Sequence, residues 1–232
     1  NGVKVRPTFR PDRCFSEGVD KVQLEKRLDY FVSKGCKIAD HGFDDFSDTQ
    51  NIEWLIEKCF EKGVVLQLHF GTFRNVNTAA FNKIGKDSGF DVFRASVDTD
   101  ALARLLDKMY TKLGGLPKII LYPLNDECLR AVCAISGAFP NVIVGAAWWF
   151  NDTVSGIKRQ LETVSEYAVL GTNLGMLTDS RSFSSYVRFD FYRRILSSFI
   201  ADKVDHGEYD EKSALALAKD IAYNNVKEVL GL

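Results

Sequence analysis

Asp179 and Arg181 flank Ser180 at the end of the run Gly175-Met176-Leu177-Thr178-Asp179-Ser180-Arg181-Ser182. Apolar residues pass there into a block of polar ones, which reads as a short buried strand reaching its tip. On an extended backbone alternate residues face one side, so a carboxylate and a guanidinium aim together. Such a carboxylate can serve as general base or metal ligand, and the guanidinium can hold its charge or a substrate oxygen. An ion pair that only closes a loop would use the same two residue types. The reading gains weight because the pattern recurs: Arg10, Asp40, His69, Arg74 and Trp148 each stand just past an apolar run.

These residues differ in what they say alone. Arg10 and Arg74 suit bidentate contacts to a carboxylate or to hydroxyls better than lysines would. Arg74 also reads as an ordinary loop arginine, raised only by Asn75 and Asn77 beside it. His69 closes an apolar run, where a satisfied core histidine competes with a functional one. Asp40-His41-Gly42 reads equally as a turn with an Asx bond, with Asp40 the better candidate of the pair Asp40 and His41. Trp148 and Trp149 on a strand face opposite ways, so one of them, Trp148, is assigned to a pocket. His206, in a charged turn beside Gly207, reads as surface.

The elements that must position these groups follow in order. Arg6 to Asp12, led in by Val3-Lys4-Val5, reads as a short strand with a polar end. Val19–Lys34 has amphipathic helical spacing, and Gly35 caps it. The second strand is Cys36–Ala39, followed by a helix from Asp48 whose apolar face is Ile52, Leu55, Ile56, Cys59 and Phe60, ended by Gly63. Val64–Leu68 is the third strand, ending in His69 to Asn75, and the segment after it to about Thr99 is long enough to be a functional loop. Asp100 is expected to cap a helix over Ala101–Leu113, before a strand at Lys118–Tyr122 and a helix from Glu127 to Phe139. The fifth strand is Val142–Ala147, with a helix then running to Leu170. The Asp179 run is the sixth, and helices fill Ser185 to Leu230 with a break near Gly207.

Six apolar runs alternating with helices make a parallel α/β chain. Polar and aromatic residues gather at the C-terminal end of every run, as in a barrel with one shared active face. No GxGxxG or GxxxxGK[ST] follows any strand, which removes the main support for a nucleotide fold. The fold is therefore read as a single, partial (β/α)8 TIM-type barrel domain over residues 1–232, lacking the first two strands. The start at Asn1, almost directly on a strand, is read as the start of a fragment.

Composition sets bounds on function. The chain has 232 residues, 46% hydrophobic and 26% charged, with 30 basic and 31 acidic side chains and a net charge of −1. That balance gives no electrostatic case for nucleic acid or a membrane surface. No run of about 18 apolar residues could span a bilayer, and no signal-peptide pattern opens the sequence. The five cysteines form no CxxC; Cys36 and Cys59 read as core residues in a reducing, cytoplasmic setting, without disulfides or a cysteine zinc cluster.

The strand ends, in this order, resemble the uronate (glucuronate) isomerase family of the amidohydrolase superfamily. The resemblance is carried by Phe9-Arg10-Pro11-Asp12, Ala39-Asp40-His41-Gly42, Gln67-Leu68-His69 with Arg74-Asn75 and Asn77-Thr78, and Trp148-Trp149-Phe150-Asn151-Asp152. Met176 to Phe183 and Tyr192-Arg193-Arg194-Ile195-Leu196 complete it and are the most specific blocks. The chain departs from the family in three respects. The first two barrel strands, with a His-x-His pair of metal ligands, are absent; the segment between Phe43 and Val64 is short; and Val187-Arg188-Phe189-Asp190 stands where Arg-His-Glu is usual.

The resemblance implies interconversion of D-glucuronate with D-fructuronate and D-galacturonate with D-tagaturonate, by moving a proton between C2 and C1. It implies Asp179, Arg181, His69 and Asp40 as catalytic residues, Arg10 and Arg74 as carboxylate or hydroxyl contacts, and Trp148 as a wall for the sugar ring. It also implies a divalent metal, zinc by preference, with Asp179 and His69 as candidate ligands and the remainder upstream; this chain alone is expected to bind metal weakly and not to isomerise. The expected partner is a small hexuronate, and a homo-oligomer is allowed. A metal-dependent hydrolase on the same scaffold and an inactive fragment that keeps a sugar-acid pocket are the competing classes.

Overall fold

A computed structural model describes residues 4–85 and 88–231. Val3, expected to lead into the first strand, and Lys86 and Asp87 of the long loop lie outside the described residues. By its internal packing the chain divides into two compact units, residues 1–119 with 123–128 and residues 120–122 with 129–232.

In the first unit the elements run β1 (Thr8–Phe9), α1 (Asp12–Ser16), α2 (Lys21–Ser33), β2 (Ile38–Phe43), α3 (Gln50–Lys62), β3 (Val65–Phe70), β4 (Thr72–Phe73), α4 (Thr78–Ile84), β5 (Val92–Phe93), α5 (Thr99–Leu113) and the outer residues of β6 (Ile119–Pro123). Strands β1, β2 and β3 pair in parallel, with Phe9 opposite Ala39 and Gly42 opposite His69. Next to β3, the Leu66 N–H donates to the Lys118 carbonyl at 2.9 Å and the Leu124 N–H to the Phe70 carbonyl at 3.0 Å. The strands are apolar because helices cover them: α3 packs on β3 and α5, burying Ile52, Leu55, Ile56 and Cys59 at helical spacing. Phe60, expected on that face, is 39% exposed. The α5 cap is Asp98, whose Oδ1 accepts from the Ala101 N–H at 2.8 Å, and not Asp100, which lies inside the helix.

The second unit holds the middle of β6, then α6 (Leu129–Ala138), β7 (Val142–Val144), α7 (Val154–Tyr167), α8 (Val187–Asp205), α9 (Glu211–Lys219) and α10 (Asn225–Leu230). The Gly145 N–H donates to the Leu121 carbonyl at 2.8 Å, which sets β7 beside the middle of β6. Gly145 is needed there, because an added Cβ would fall 2.1 Å from the Tyr122 ring.

Two strand expectations are corrected. The Asp179 run is not a sixth strand: Gly175 (φ 76°) and Asp179 (φ 45°) take left-handed backbone that breaks an extended run. The fifth strand stops at Val144, and Trp149–Asn151 forms a 3₁₀ turn with Trp149 at φ 51°. One pair was not foreseen: β4 and β5 form a small antiparallel ribbon with Thr72 opposite Phe93. The architecture is α/β with a parallel sheet, the TIM-type barrel class.

Among the described residues no helix is long and apolar enough to cross a membrane. Cys14, Cys36, Cys59 and Cys128 are free thiols. Burial pushes the Cys59 thiol up to about 12, as suits a core thiol.

Candidate functional site

The parallel register of the first unit puts three of the expected residues together. Arg10 follows β1 directly, Asp40 lies in β2 and His69 in β3. The Arg10 guanidinium reaches Asp40 Oδ2 through Nη1 at 3.3 Å and His69 Nε2 through Nη2 at 3.3 Å. His69 Nδ1 meets Asp40 Oδ1 at 3.1 Å. Gly42 makes this contact set attainable: a Cβ at that position would lie 2.2 Å from His69 Nε2, so only glycine leaves room for the ring.

Two residues join the cluster that the sequence reading did not place in it. Asp12, in the first turn of α1, accepts from Arg10 Nε on Oδ2 at 2.9 Å. Its Oδ1 accepts from His41 Nδ1 at 2.7 Å and from the Gly42 N–H at 3.2 Å. Burial works to raise the Asp12 pKa. The hydrogen bond and charge of His41 and those of Arg10 together outweigh it and bring the carboxyl down to about 2. His41 is buried and lies 5.2 Å from the Phe15 ring and 5.7 Å from the Phe43 ring. Strand alternation explains why Asp40 and His41 part company: Asp40 turns to His69, and His41 turns to Asp12. The available signal for Asp12 was its place two residues after Arg10, across a proline.

Arg74 sits past β4 at the ribbon and pairs with Asp91 at 2.7 Å, while the Asn75 N–H donates to the other Asp91 oxygen at 2.8 Å. Asn75 takes φ 53°, a conformation asparagine tolerates better than most residues.

In the second unit Trp148 is only 6% exposed, whereas Trp149 is 38% and Phe150 41% exposed. The 3₁₀ turn places the two indoles 5.7 Å apart rather than on opposite faces, correcting the strand-based expectation. Trp149 stacks on Phe150 at 5.1 Å. Asp152, closing this segment, is almost fully buried and pairs with Arg188, in the block where the sequence departs from Arg-His-Glu. Asp179 and Arg181 are exposed on a serine-rich turn before α8, where Ser180 Oγ accepts from the Ser182 N–H at 3.1 Å.

No group of three or more His, Cys, Asp or Glu side chains among the described residues is placed to hold a metal ion. His69 in particular has Asp40 at one ring nitrogen and the Arg10 cation at the other, and a guanidinium repels a second cation at the same lone pair. The described residues as arranged do not fit the expected divalent metal.

A parallel α/β sheet with arginine, carboxylate and histidine at its strand ends defines a barrel-type scaffold with a polar active face. Comparison with known proteins makes this specific. The glucuronate isomerase family model matches residues 47–230. The uronate isomerase of Caldanaerobacter subterraneus is 34% identical over 99% of this chain and 62% of its own length. That of Staphylococcus haemolyticus is 37% identical over 95% of this chain and 60% of its own. The crystal structure of uronate isomerase from Thermotoga maritima superposes with a TM-score of 0.87 at 27% identity, covering 97% of this chain and 61% of that one. Glucuronate isomerase from Caulobacter crescentus gives 0.79 at 28% identity, covering 89% and 49%. The chain belongs to the glucuronate isomerase family. It spans about three-fifths of the length of the curated relatives it matches.

Proposed function

We propose that the protein interconverts an aldehyde hexuronate and its keto isomer, D-glucuronate with D-fructuronate and D-galacturonate with D-tagaturonate. The observation that carries this reading is the Arg10–Asp40–His69 cluster at three adjacent strand ends of a chain in this family. The reaction removes a proton from C2, passes through an enediolate and returns a proton to C1, with no net redox partner. It needs a base, a cationic clamp for the C6 carboxylate and a donor for the developing oxyanion.

In this reading Arg10 serves the carboxylate or an adjacent hydroxyl, since its half-exposed guanidinium already lies among the cluster groups. Asp40 fixes the His69 ring through Nδ1. Asp179 and Arg181 are assigned to proton transfer and oxyanion support, Arg74 to a second substrate contact, and Trp148 with its neighbours to the sugar wall. Zinc or another divalent ion is implied only by the family resemblance, and the roles assigned here rest on the protein's own groups. Cytoplasmic sugar-acid catabolism is the setting proposed.

The test is to assay the protein as its gene encodes it with D-glucuronate and D-galacturonate, following ketose formation by proton NMR, beside lactones and amides as hydrolase substrates. Ketose from either hexuronate supports the reading. Hydrolysis of lactone or amide with no ketose from either sugar acid refutes it.

A further inference from the structure

The block Tyr192-Arg193-Arg194-Ile195-Leu196 has no part in the proposed reaction, yet two of its residues line a cavity. Tyr192 and Arg193 stand in the wall of a space of about 270 Å³ within the second unit. Phe189 joins them from the same face of α8, since residues three and four apart on a helix are neighbours. The other walls come from the run 174–176, from α10 and from the π-helical turn Asp220–Asn224 before it. Such widened turns recur at functional sites. These walls are fastened to one another. Asn225 Nδ2 donates to the Gly171 and Asn173 carbonyls, each at 2.8 Å, which ties the run to α10. Glycine at 175 allows the close approach, because an added Cβ would fall 2.7 Å from the Ile221 carbonyl oxygen.

The lining has a definite chemistry. Met176, Phe189 and Val226 make it apolar, and no carboxylate is among its described residues. Its charged members are the exposed Arg193 and Lys227, with Lys227 Nζ 5.9 Å over the Tyr223 ring. Tyr192 is only 5% exposed, and its hydroxyl is buried with no hydrogen-bond partner among the described residues. A buried hydroxyl without a partner costs free energy, which an acceptor brought by an occupant would remove. The volume is at the small end of ligand pockets and suits one ring with a short arm. A hexuronate is a poor match, because these walls would leave its ring hydroxyls unpaired.

We propose that this cavity is a binding site for a small carboxylate carrying an apolar ring. The ring lies against Met176 and Phe189, and the carboxylate turns toward Arg193 and Lys227 and accepts from the Tyr192 hydroxyl. Two cations with no lining carboxylate select an anion over an amine of the same shape. The proposal does not depend on the hexuronate reading.

The experiment titrates phenylacetate into the protein as its gene encodes it, with phenethylamine as the cationic comparison. Binding is read by calorimetry and by ¹H–¹³C NMR of methionine methyl groups, with Met176 assigned from the Met176→Leu spectrum. Phenylacetate is expected to bind with Kd on the order of 0.1–1 mM. It should shift the Met176 methyl and leave that of Met109, fully buried in α5, in place. Replacing both surface cations, Arg193→Gln with Lys227→Gln, should weaken binding about tenfold or more. Tyr192→Phe should weaken it about fivefold and leave Tm unchanged or higher, since the lost hydroxyl has no partner in the folded chain. No Met176 shift at about 10 mM phenylacetate overturns the proposal. So does unchanged affinity in the double glutamine variant, or phenethylamine binding as tightly as phenylacetate. A lowered Tm in Tyr192→Phe would show that the hydroxyl already has an acceptor, and counts against the site.

Discussion

The depressed pKa of Asp12 makes acid stability a quantitative probe of the cluster. The ordinary carboxyl value of 3.8 falls to about 2 in the folded protein, against the opposing effect of burial, because His41 and Arg10 favour the carboxylate. A folded-state pKa below the unfolded one contributes stability that is fully present above the unfolded value and is lost as pH falls through the folded value. A shift of nearly two units corresponds to about 2 kcal/mol at pH 5, shrinking to under about 1 kcal/mol at pH 2.5. Asp12→Asn keeps the size of the side chain but cannot ionise. Urea unfolding of wild type and Asp12→Asn at pH 5 and at pH 2.5 should therefore show a stability gap that narrows by about 1–2 kcal/mol at the lower pH. A gap that stays constant, or widens in acid, would refute the assignment of this shift to the Arg10–Asp12–His41 network.

Three further outcomes follow from separate observations. Gly42→Ala puts a Cβ 2.2 Å from His69 Nε2, so the ring must swing away from Arg10; overpacking of this kind costs about 1–3 kcal/mol, read by urea unfolding. Asp179→Asn preserves the left-handed backbone at φ 45°, which asparagine tolerates, and removes only the charge. If Asp179 moves the proton, kcat falls about 10²–10⁴-fold with the fold unchanged by circular dichroism; near-normal kcat removes it from the mechanism. Arg74→Ala breaks a half-exposed ion pair with Asp91 and should cost under about 1 kcal/mol of stability, while raising KM for hexuronate if Arg74 also holds the substrate.

What the sequence disclosed and what it hid divide along physical lines. The strands β2, β3 and β6 were legible because both faces of a parallel strand are covered, so each reads as an apolar run with a polar end. Arg10, Asp40 and His69 could be named because strand ends on one register meet whatever the loops do. Asp12 and His41 were harder: nothing local says that a carboxylate past a proline will turn back to a strand histidine 29 positions away. The Asp179 run misled because apolar-then-polar composition marks a strand only if the backbone stays extended, and positive φ at Gly175 and Asp179 prevents that. Trp148 and Trp149 misled for a related reason. Alternation ends where the strand ends, and β7 stops at Val144, four residues before the first indole. The β4–β5 ribbon was hidden because two-residue strands carry no readable period.

The proposed transfer of a proton between two carbons of a sugar acid can be followed by isotope. D-glucuronate deuterated at C2 would be incubated with the protein as its gene encodes it, and the products followed by ¹H NMR and mass spectrometry. The expected product is D-fructuronate that has lost the C2 deuterium, with the label appearing at C1 or in solvent. Recovery of D-glucuronate with its C2 label intact, under conditions where the protein is folded and binds the sugar acid, would contradict it.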